Sequence, residues 1–448
     1  MGEISAADID AWLRDGGLVV TASERAARSL TAAFHRARRA EGLTAWPAPY
    51  ILDWQTFVRA EWSERILDGR LVLSSLQEQS LWAEIIASAA PHLAQLAGAR
   101  DRLAAMAMEA HSLLCAYAPR LLNASARSGW DQDAAAFSAW LSAFDEACRA
   151  GGLISSARLP LDLTQKLPDA LASGTAPRAP LLLAGFDRIL PTQKDLLSAW
   201  GACTQAPLAE PASNIHFHAS SDPASELAAC ALWCQRKLTA NPHTRLLVVT
   251  QDVPRRRGEI ERAFLRFMHP GPGASNPTSL IEFSLGVPLS QIALARSAGL
   301  LLHWLDGSIT EHELDWLASS GHSASPEESL ALTAFLRAIR RKNLQRSRWP
   351  LADLLRQNPG QPPPAEWAAR LTQAQRRLQE FKRHTHSPLE CAELVPQLLQ
   401  LAGWSTARPL SSAEYQAFNR WQQTVDQCAS LGFNGQRIEW KDFLAALT

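Results

Sequence analysis

Leu181-Leu182-Leu183-Ala184-Gly185-Phe186-Asp187-Arg188-Ile189-Leu190-Pro191-Thr192-Gln193 is the stretch that decides the fold. Its first four residues form a continuous apolar run, which suits a strand buried on both faces, as in a parallel sheet. A helix follows from Thr192 to Trp200. A Pro/Gly/Ser-containing connector, Pro168 to Pro180, precedes the run. After it, Asn214-Ile215-His216-Phe217-His218 reads as a strand and Asp222 to Ala240 as a helix capped by Ser221 or Asp222. Arg245 to Thr250 reads as a strand, and Arg257 to Phe267 as a helix. Strands alternating with helices predict a parallel α/β sheet.

The same grammar appears at the start of the chain. Leu18-Val19-Val20-Thr21 follows Gly16-Gly17, and Ser23 precedes the alanine- and arginine-rich stretch Glu24 to Arg39, giving strand, turn and helix. Pro47, Pro49 and Tyr50-Ile51-Leu52 mark a loop and a second short extended piece before a helix from Trp54 to Leu67. From Ser74 to Ala150 the spacing is helical, and beyond Gly286 it is helical again, with a proline-rich break at Gln357 to Pro364. Trp440 to Leu447 stop inside an apolar helical pattern with no C-cap signal, so the expectation is a segment of something longer.

Bulk properties narrow the function classes. With 448 residues the chain has room for about two to four domains. An apolar share of 47% and a charged share of 20% are ordinary for a globular protein, and no apolar run is long enough for a membrane span. The N-terminus lacks a basic region followed by an apolar one, so the expected location is the cytoplasm. Formal net charge is +0, so contact with nucleic acid must come from local patches. Seven scattered cysteines predict reduced, mostly buried thiols. Sixteen tryptophans, mostly in helical apolar stripes, predict core packing rather than base stacking.

Three segments, in order, resemble superfamily 1 helicases of the UvrD/PcrA type. Thr21-Ala22-Ser23-Glu24-Arg25-Ala26-Ala27-Arg28 matches the helicase turn T-x-[TS]-x-[KR]-A-A-R, which in that family touches single-stranded DNA. Leu183 to Gln193 aligns with the Walker B stretch V-D-E-F-Q-D-x-N-P-x-Q, sharing Phe186, Pro191 and Gln193. Ala184 and Gly185 stand where that family has its two carboxylates, with Asp187 close by. Those carboxylates position magnesium and the attacking water, which alanine and glycine cannot do. Leu247 to Phe264, including Arg255, Arg256 and Arg257, looks like a strand and helix of a second RecA-like domain. No G-x-x-x-x-G-K-[ST] loop occurs anywhere.

This profile resembles the AddB/RecC-like DNA-repair proteins, which are decayed helicases. The resemblance implies an α/β fold: two RecA-like parallel-sheet segments, each with a large helical insertion. The implied division is 1–73 and 153–211 for the first RecA-like domain around a helical insertion at 74–152. Residues 212–300 would begin the second domain, and 301–448 would be its insertion. The implied function is a non-catalytic DNA-binding scaffold in double-strand-break repair. It would hold single-stranded or forked DNA beside a UvrD/AddA-like helicase-nuclease subunit, with no catalytic residue, cofactor or metal of its own. Candidate nucleic-acid contacts are Thr21, Ser23, Arg25, Arg28, Arg255, Arg256, Arg257, Arg340, Arg341 and Lys342. Two other readings stand beside it: the leading part of a PD-(D/E)xK nuclease whose catalytic domain follows Thr448, and a helical protein–protein adaptor.

Other constellations carry less. Cys230 and Cys234 lie four apart on a helix with His216 and His218 nearby, which is not the knuckle spacing of structural zinc. Glu259 and Glu261 are two apart on a helix and face different ways.

Overall fold

The computed structural model describes residues 6–66, 68–94, 98–172, 179–206, 215–242, 244–267, 281–283, 286–344, 346–405 and 409–448. The chain divides into two compact units. The first comprises Met1–Glu210, Phe381–Pro396 and Gln423–Leu447; the second comprises Pro211–Glu380, Gln397–Gln422 and Thr448.

The first unit is α/β. Its elements are α1 (Ala6–Arg14), β1 (Leu18–Thr21), α2 (Glu24–Ala40), β2 (Ile51–Asp53), α3 (Trp54–Arg65), β3 (Leu71–Val72), α4 (Ser75–Ala89), α5 (Pro91–Ala94), α6 (Ala99–Tyr117) and α7 (Gln132–Ala150). Then follow β4 (Leu153–Ile154), α8 (Leu159–Ala172), β5 (Leu181–Ala184), α9 (Pro191–Trp200) and β6 (Cys203–Gln205). Four strands form one parallel sheet in the order β2-β1-β5-β6. β1 and β5 are neighbours in register, Leu18 opposite Leu181 and Thr21 opposite Ala184.

Both faces of this sheet are covered, which is why β1 and β5 read as unbroken apolar runs. Leu18, Val20, Leu181 and Leu183 pack into one core with Phe57, Val58 and Trp62 of α3, Leu163 and Leu167 of α8, and Leu196 and Trp200 of α9. Val19, Leu182 and Ala184 point the other way, onto Leu13 of α1 and Ala27 and Phe34 of α2. A separate helical core joins α4, α6 and α7, where Trp82 and Phe144 stack with ring centroids 4.2 Å apart. β3 and β4 make a two-residue parallel pair at the edge of this block. α8 runs on to Ala172, so the expected connector begins later than Pro168.

The second unit begins with α10 (Pro223–Ala240) and α11 (Val253–Phe267), joined by Leu227, Ala231, Cys234, Ile260 and Phe264. Here the expectation of a second sheet fails among the described residues. Residues 215–218 and 244–250 form no strand, although Asn214 itself lies outside the described residues. Ile215, Phe217, Leu247 and Val249 are exposed, at 67%, 96%, 83% and 85%. β-Branched and apolar side chains favour a pleated surface only when a partner strand supplies one, and no described segment pairs with them. Asp222 does cap α10, as the sequence implied, accepting from Ser225 N at 2.9 Å.

Beyond α11 the chain is mainly helical: α12 (Ala293–Asp306), β7 (Ser308–Thr310), α13 (Glu311–Ser319), α14 (Pro326–Arg341), β8 (Arg348–Pro350), α15 (Leu351–Leu355) and α16 (Ala365–Phe381), then α17 (Pro388–Leu401), α18 (Ser412–Ala429) and α19 (Trp440–Leu447), of which Pro388–Pro396, Gln423–Ala429 and α19 belong to the first unit. β7 and β8 pair antiparallel, and Trp304 Nε1 donates to the Trp349 carbonyl at 2.9 Å. Trp62, Trp82, Trp200, Trp304, Trp349, Trp367 and Trp440 are all buried, so the stripes of tryptophan are core. The cysteines are free thiols, four of them buried. No helix among the described residues is long and apolar enough to cross a membrane.

Candidate functional site

In an open parallel sheet, ligands favour the crevice at the carboxyl ends of the strands, where the chain reverses its direction of travel across the sheet. Here the chain passes from β1 to β2 on one side and returns to β5 on the other. The switch point therefore lies between Thr21 and Ala184. A cleft of 1080 Å³ lies there, bounded by the turns that open α2, α3 and α9 and by α6 of the helical block.

The helix openings at this cleft are largely satisfied by the protein's own groups. Ser23 caps α2, its Oγ accepting from Ala26 N at 3.3 Å. Asp53 caps α3, accepting from Gln55 N at 3.0 Å, Thr56 N at 3.2 Å and Thr56 Oγ1 at 2.6 Å. Gln193 Oε1 accepts from Leu190 N at the start of α9. The charged lining is Glu24, Asp53, Glu78 and Glu109 against the one guanidinium of Arg59. Four carboxylates and one cation repel a polyphosphate, and no glycine-rich loop offers a cradle of amides.

The turn after β5 leads into the residues Leu190, Thr192 and Gln193 that line this cleft. Ala184 ends β5, buried, and its carbonyl accepts from Ala22 N at 3.3 Å. Gly185 turns at φ +74°, a left-handed value that favours glycine. Phe186 is buried against Trp54, and its carbonyl accepts from Gln205 Nε2 at 2.9 Å. Asp187 is exposed and accepts from the Arg188 backbone N–H.

One wall of the cleft holds a buried polar network that the sequence did not suggest. Ser155 Oγ lies 2.8 and 2.9 Å from the two oxygens of Glu78 and donates to that carboxylate. Glu78 Oε1 is 3.5 Å from His111 Nδ1. Arg158 Nε donates to His111 Nε2 at 3.2 Å, while His111 Nδ1 is buried with no hydrogen-bond partner. Cys115 Sγ is 3.5 Å from His111 Nε2. Cys115, His111 and Glu78 thus lie in the order of thiol, base and carboxylate, although no hydrogen bond joins His111 to Glu78. Burial decides against a nucleophile: Cys115 is 2% exposed and its thiol is pushed up to about 12, so it stays protonated at neutral pH. The network is structural. Only the i, i+4 spacing of His111 and Cys115 was visible in sequence.

Thr192 of α9 ties the sheet to this wall, its Oγ1 donating to the Cys115 carbonyl near the end of α6. Thr192→Val is expected to destabilise the unit by about 1–2 kcal/mol, because it leaves a buried carbonyl short of its donor. Urea denaturation followed by circular dichroism measures this; an unchanged midpoint would mean the two layers do not depend on that bond.

The candidate nucleic-acid residues fall into different units. Thr21 is fully buried and its Oγ1 donates to the Ser23 carbonyl at 2.9 Å, so its hydroxyl faces inward. Arg25 and Arg28 stand exposed on the first two turns of α2, with Arg28 3.8 Å from Glu24. In the second unit, Arg255 is exposed with Asp252 at 4.0 Å, and Arg256 pairs with Glu259 at 3.0 Å. Arg257 donates to the Gly286 carbonyl and lies 4.2 Å from the Phe283 ring centroid. Arg340 is held by Glu311 at 2.6 Å and by Asp315, while Arg341 and Lys342 are exposed at the end of α14. The basic run around Arg340 is therefore partly neutralised by α13. Among the described residues no group of three or more His, Cys, Asp or Glu could hold a metal, and His216 and His218 are exposed.

No protein-family model matches this chain, and no curated protein matches it either.

Proposed function

We propose that this chain is a helicase-like scaffold, built on a RecA-like sheet, that binds single-stranded or forked DNA in bacterial double-strand-break repair. In this reading it works in the cytoplasm beside a UvrD/AddA-like helicase-nuclease subunit, which supplies ATP hydrolysis. The observation that carries the reading is the parallel, in-register adjacency of β1 and β5, with Thr21 opposite Ala184. The two turns that resemble the helicase DNA-contact and Walker B motifs thereby share one carboxyl edge, which supports the reading. The acid-lined cleft beside them repels polyanions, nucleotide and DNA backbone alike, so the strand would lie outside it. The phosphate contacts fall instead to Arg25 and Arg28, exposed on the first two turns of α2.

The purified chain is expected to hydrolyse no ATP and to retain labelled oligothymidylate at low salt. Binding should weaken steeply with salt. R25A/R28A should weaken it about tenfold and flatten the log–log salt slope by about 1.4, since each single-strand phosphate contact contributes ~0.7. ATP turnover by the wild-type chain, or DNA binding indifferent to R25A/R28A, would defeat the reading. Capture of a protein partner with no DNA retention would favour an adaptor instead.

A further inference from the structure

Helix α2 carries more positive charge than the motif that opens it. Arg25, Arg28, Arg36 and Arg39 are all exposed. At 100° per residue they fall within an arc of about 80°, and they extend over about 21 Å of helix. The exposed residues between the two pairs on this face are short, Ser29 and Ala32. The apolar side of the same helix is committed to the sheet, through Ala27, Leu30 and Phe34. Nearby acids are engaged: Glu24 lies against Arg28, and Glu41 is shared by Arg14 and by the buried Arg38. Among the described residues Arg36 and Arg39 have no ion-pair partner. Arg36 lies back along the helix, its Nε 3.3 Å from the Ala32 carbonyl.

A second feature stands at the end of this track. Arg39 borders a 300 Å³ pocket with His35, Thr44, Ala45 and Trp46. Trp46 Nε1 donates to His35 Nδ1 at 2.8 Å, which fixes the indole 5.8 Å from the imidazole at 43°. Trp46 is half-buried and packs at the edge of the core that α2 shares with the sheet.

We infer that α2 is a single-strand track: Arg25, Arg28, Arg36 and Arg39 take successive backbone phosphates, and the Trp46 pocket takes one unpaired base. A line of guanidiniums ending at an aromatic platform is the chemistry that holds single strands without reading sequence. A duplex keeps its bases stacked inside and offers nothing to the indole. A membrane-surface helix would need its apolar face free, whereas that of α2 is buried. The inference rests on the DNA reading above and extends it to Arg36, Arg39 and Trp46.

The test uses the full chain and a fluorescein-labelled oligothymidylate, read by anisotropy across a salt series, with circular dichroism to confirm folding. R36A/R39A should weaken binding about tenfold and flatten the salt slope by about 1.4. W46A should weaken it about tenfold, W46F much less, and oligomer binding should quench part of the wild-type tryptophan emission that W46F lacks. If R25A/R28A weakens binding while R36A/R39A and W46A do not, the track is wrong and the parent reading survives. If the wild-type chain ignores the oligomer at low salt, both fall. Binding to phosphatidylserine vesicles that the oligomer cannot compete away would overturn the track in favour of a lipid surface.

Discussion

Trp82→Ala is expected to be among the most damaging single substitutions in the first unit, costing about 3–5 kcal/mol. Trp82 is fully buried. Its ring stacks on Phe144 of α7 at 4.2 Å and 4°, lies near parallel to Phe137 at 6.2 Å, and sits 5.9 Å from His111 of α6. One side chain on α4 therefore fills the space between three helices, and alanine leaves a void that packed neighbours only partly close. Against a typical total of about 5–15 kcal/mol for a domain, that loss is large. The conservative change separates packing from polarity. Trp82 Nε1 is buried with no hydrogen-bond partner, so Trp82→Phe removes an unsatisfied donor together with some volume. It should cost less than about 1.5 kcal/mol. Urea denaturation followed at 222 nm compares the two. Equal costs for alanine and phenylalanine, or a cost for alanine under about 1 kcal/mol, would mean the helical block is not packed around this ring.

The consequence reaches the cleft. Glu78, His111 and Cys115 keep their relation because α4 and α6 are held at fixed spacing, and Trp82 helps hold them. A cavity at that position should loosen the Ser155–Glu78–His111 network and with it one wall of the cleft. The R25A/R28A experiment touches only the opposite rim. Trp82→Ala should therefore leave initial DNA affinity nearly intact at temperatures where the unit remains folded, which separates scaffold from contact residues.

Which parts of this arrangement were readable follows from where the interactions lie. β1 and β5 were legible because a strand covered on both faces must be apolar at every position, and four such residues next to a turn signal leave little else. The caps Ser23 and Asp222 were legible because capping is local. β3 and β4 were not: Leu71–Val72 pairs with Leu153–Ile154, a two-residue contact across some eighty residues of chain with no composition of its own. Nor was β6, whose Cys203–Gln205 carries polar residues at the sheet edge. Arg245 to Thr250 failed in the opposite direction. Its residues favour a strand, but the hydrogen bonds that make one must come from a neighbour. The pairing of Arg340 with Glu311 and Asp315 was not legible either, because those acids meet it from another helix. The Glu78–Ser155 contact spans 77 residues, beyond any local pattern.

Raising the pH above about 9 is expected to erode stability through the buried thiols, a second large effect. Burial pushes Cys115 and Cys391 up to about 12, and Cys234 and Cys428 up to about 11, from the ordinary thiol value of 9.0. All four are buried. Below pH 9 folded and unfolded chains both keep these protons, so the thiols add no pH dependence. Between pH 9 and 11–12 the unfolded chain releases them while the folded chain retains them. The unfolded state then binds fewer protons, and stability must fall as pH rises. The urea midpoint should be flat from pH 7.5 to 8.5 and drop progressively by pH 10.5. Cys115→Ala and Cys391→Ala should each make that drop shallower, even though each lowers the midpoint at pH 7.5 by leaving a small void. Alkylation gives an independent reading. At pH 8 a thiol held near 12 is thiolate about a thousandfold less often than one at 9, so iodoacetamide should label Cys115 in the unfolded chain and spare it in the folded one. Rapid labelling of native Cys115 would mean that its sulfur is open to the cleft, and the triad-like geometry with His111 and Glu78 would then have to be read as a reactive site.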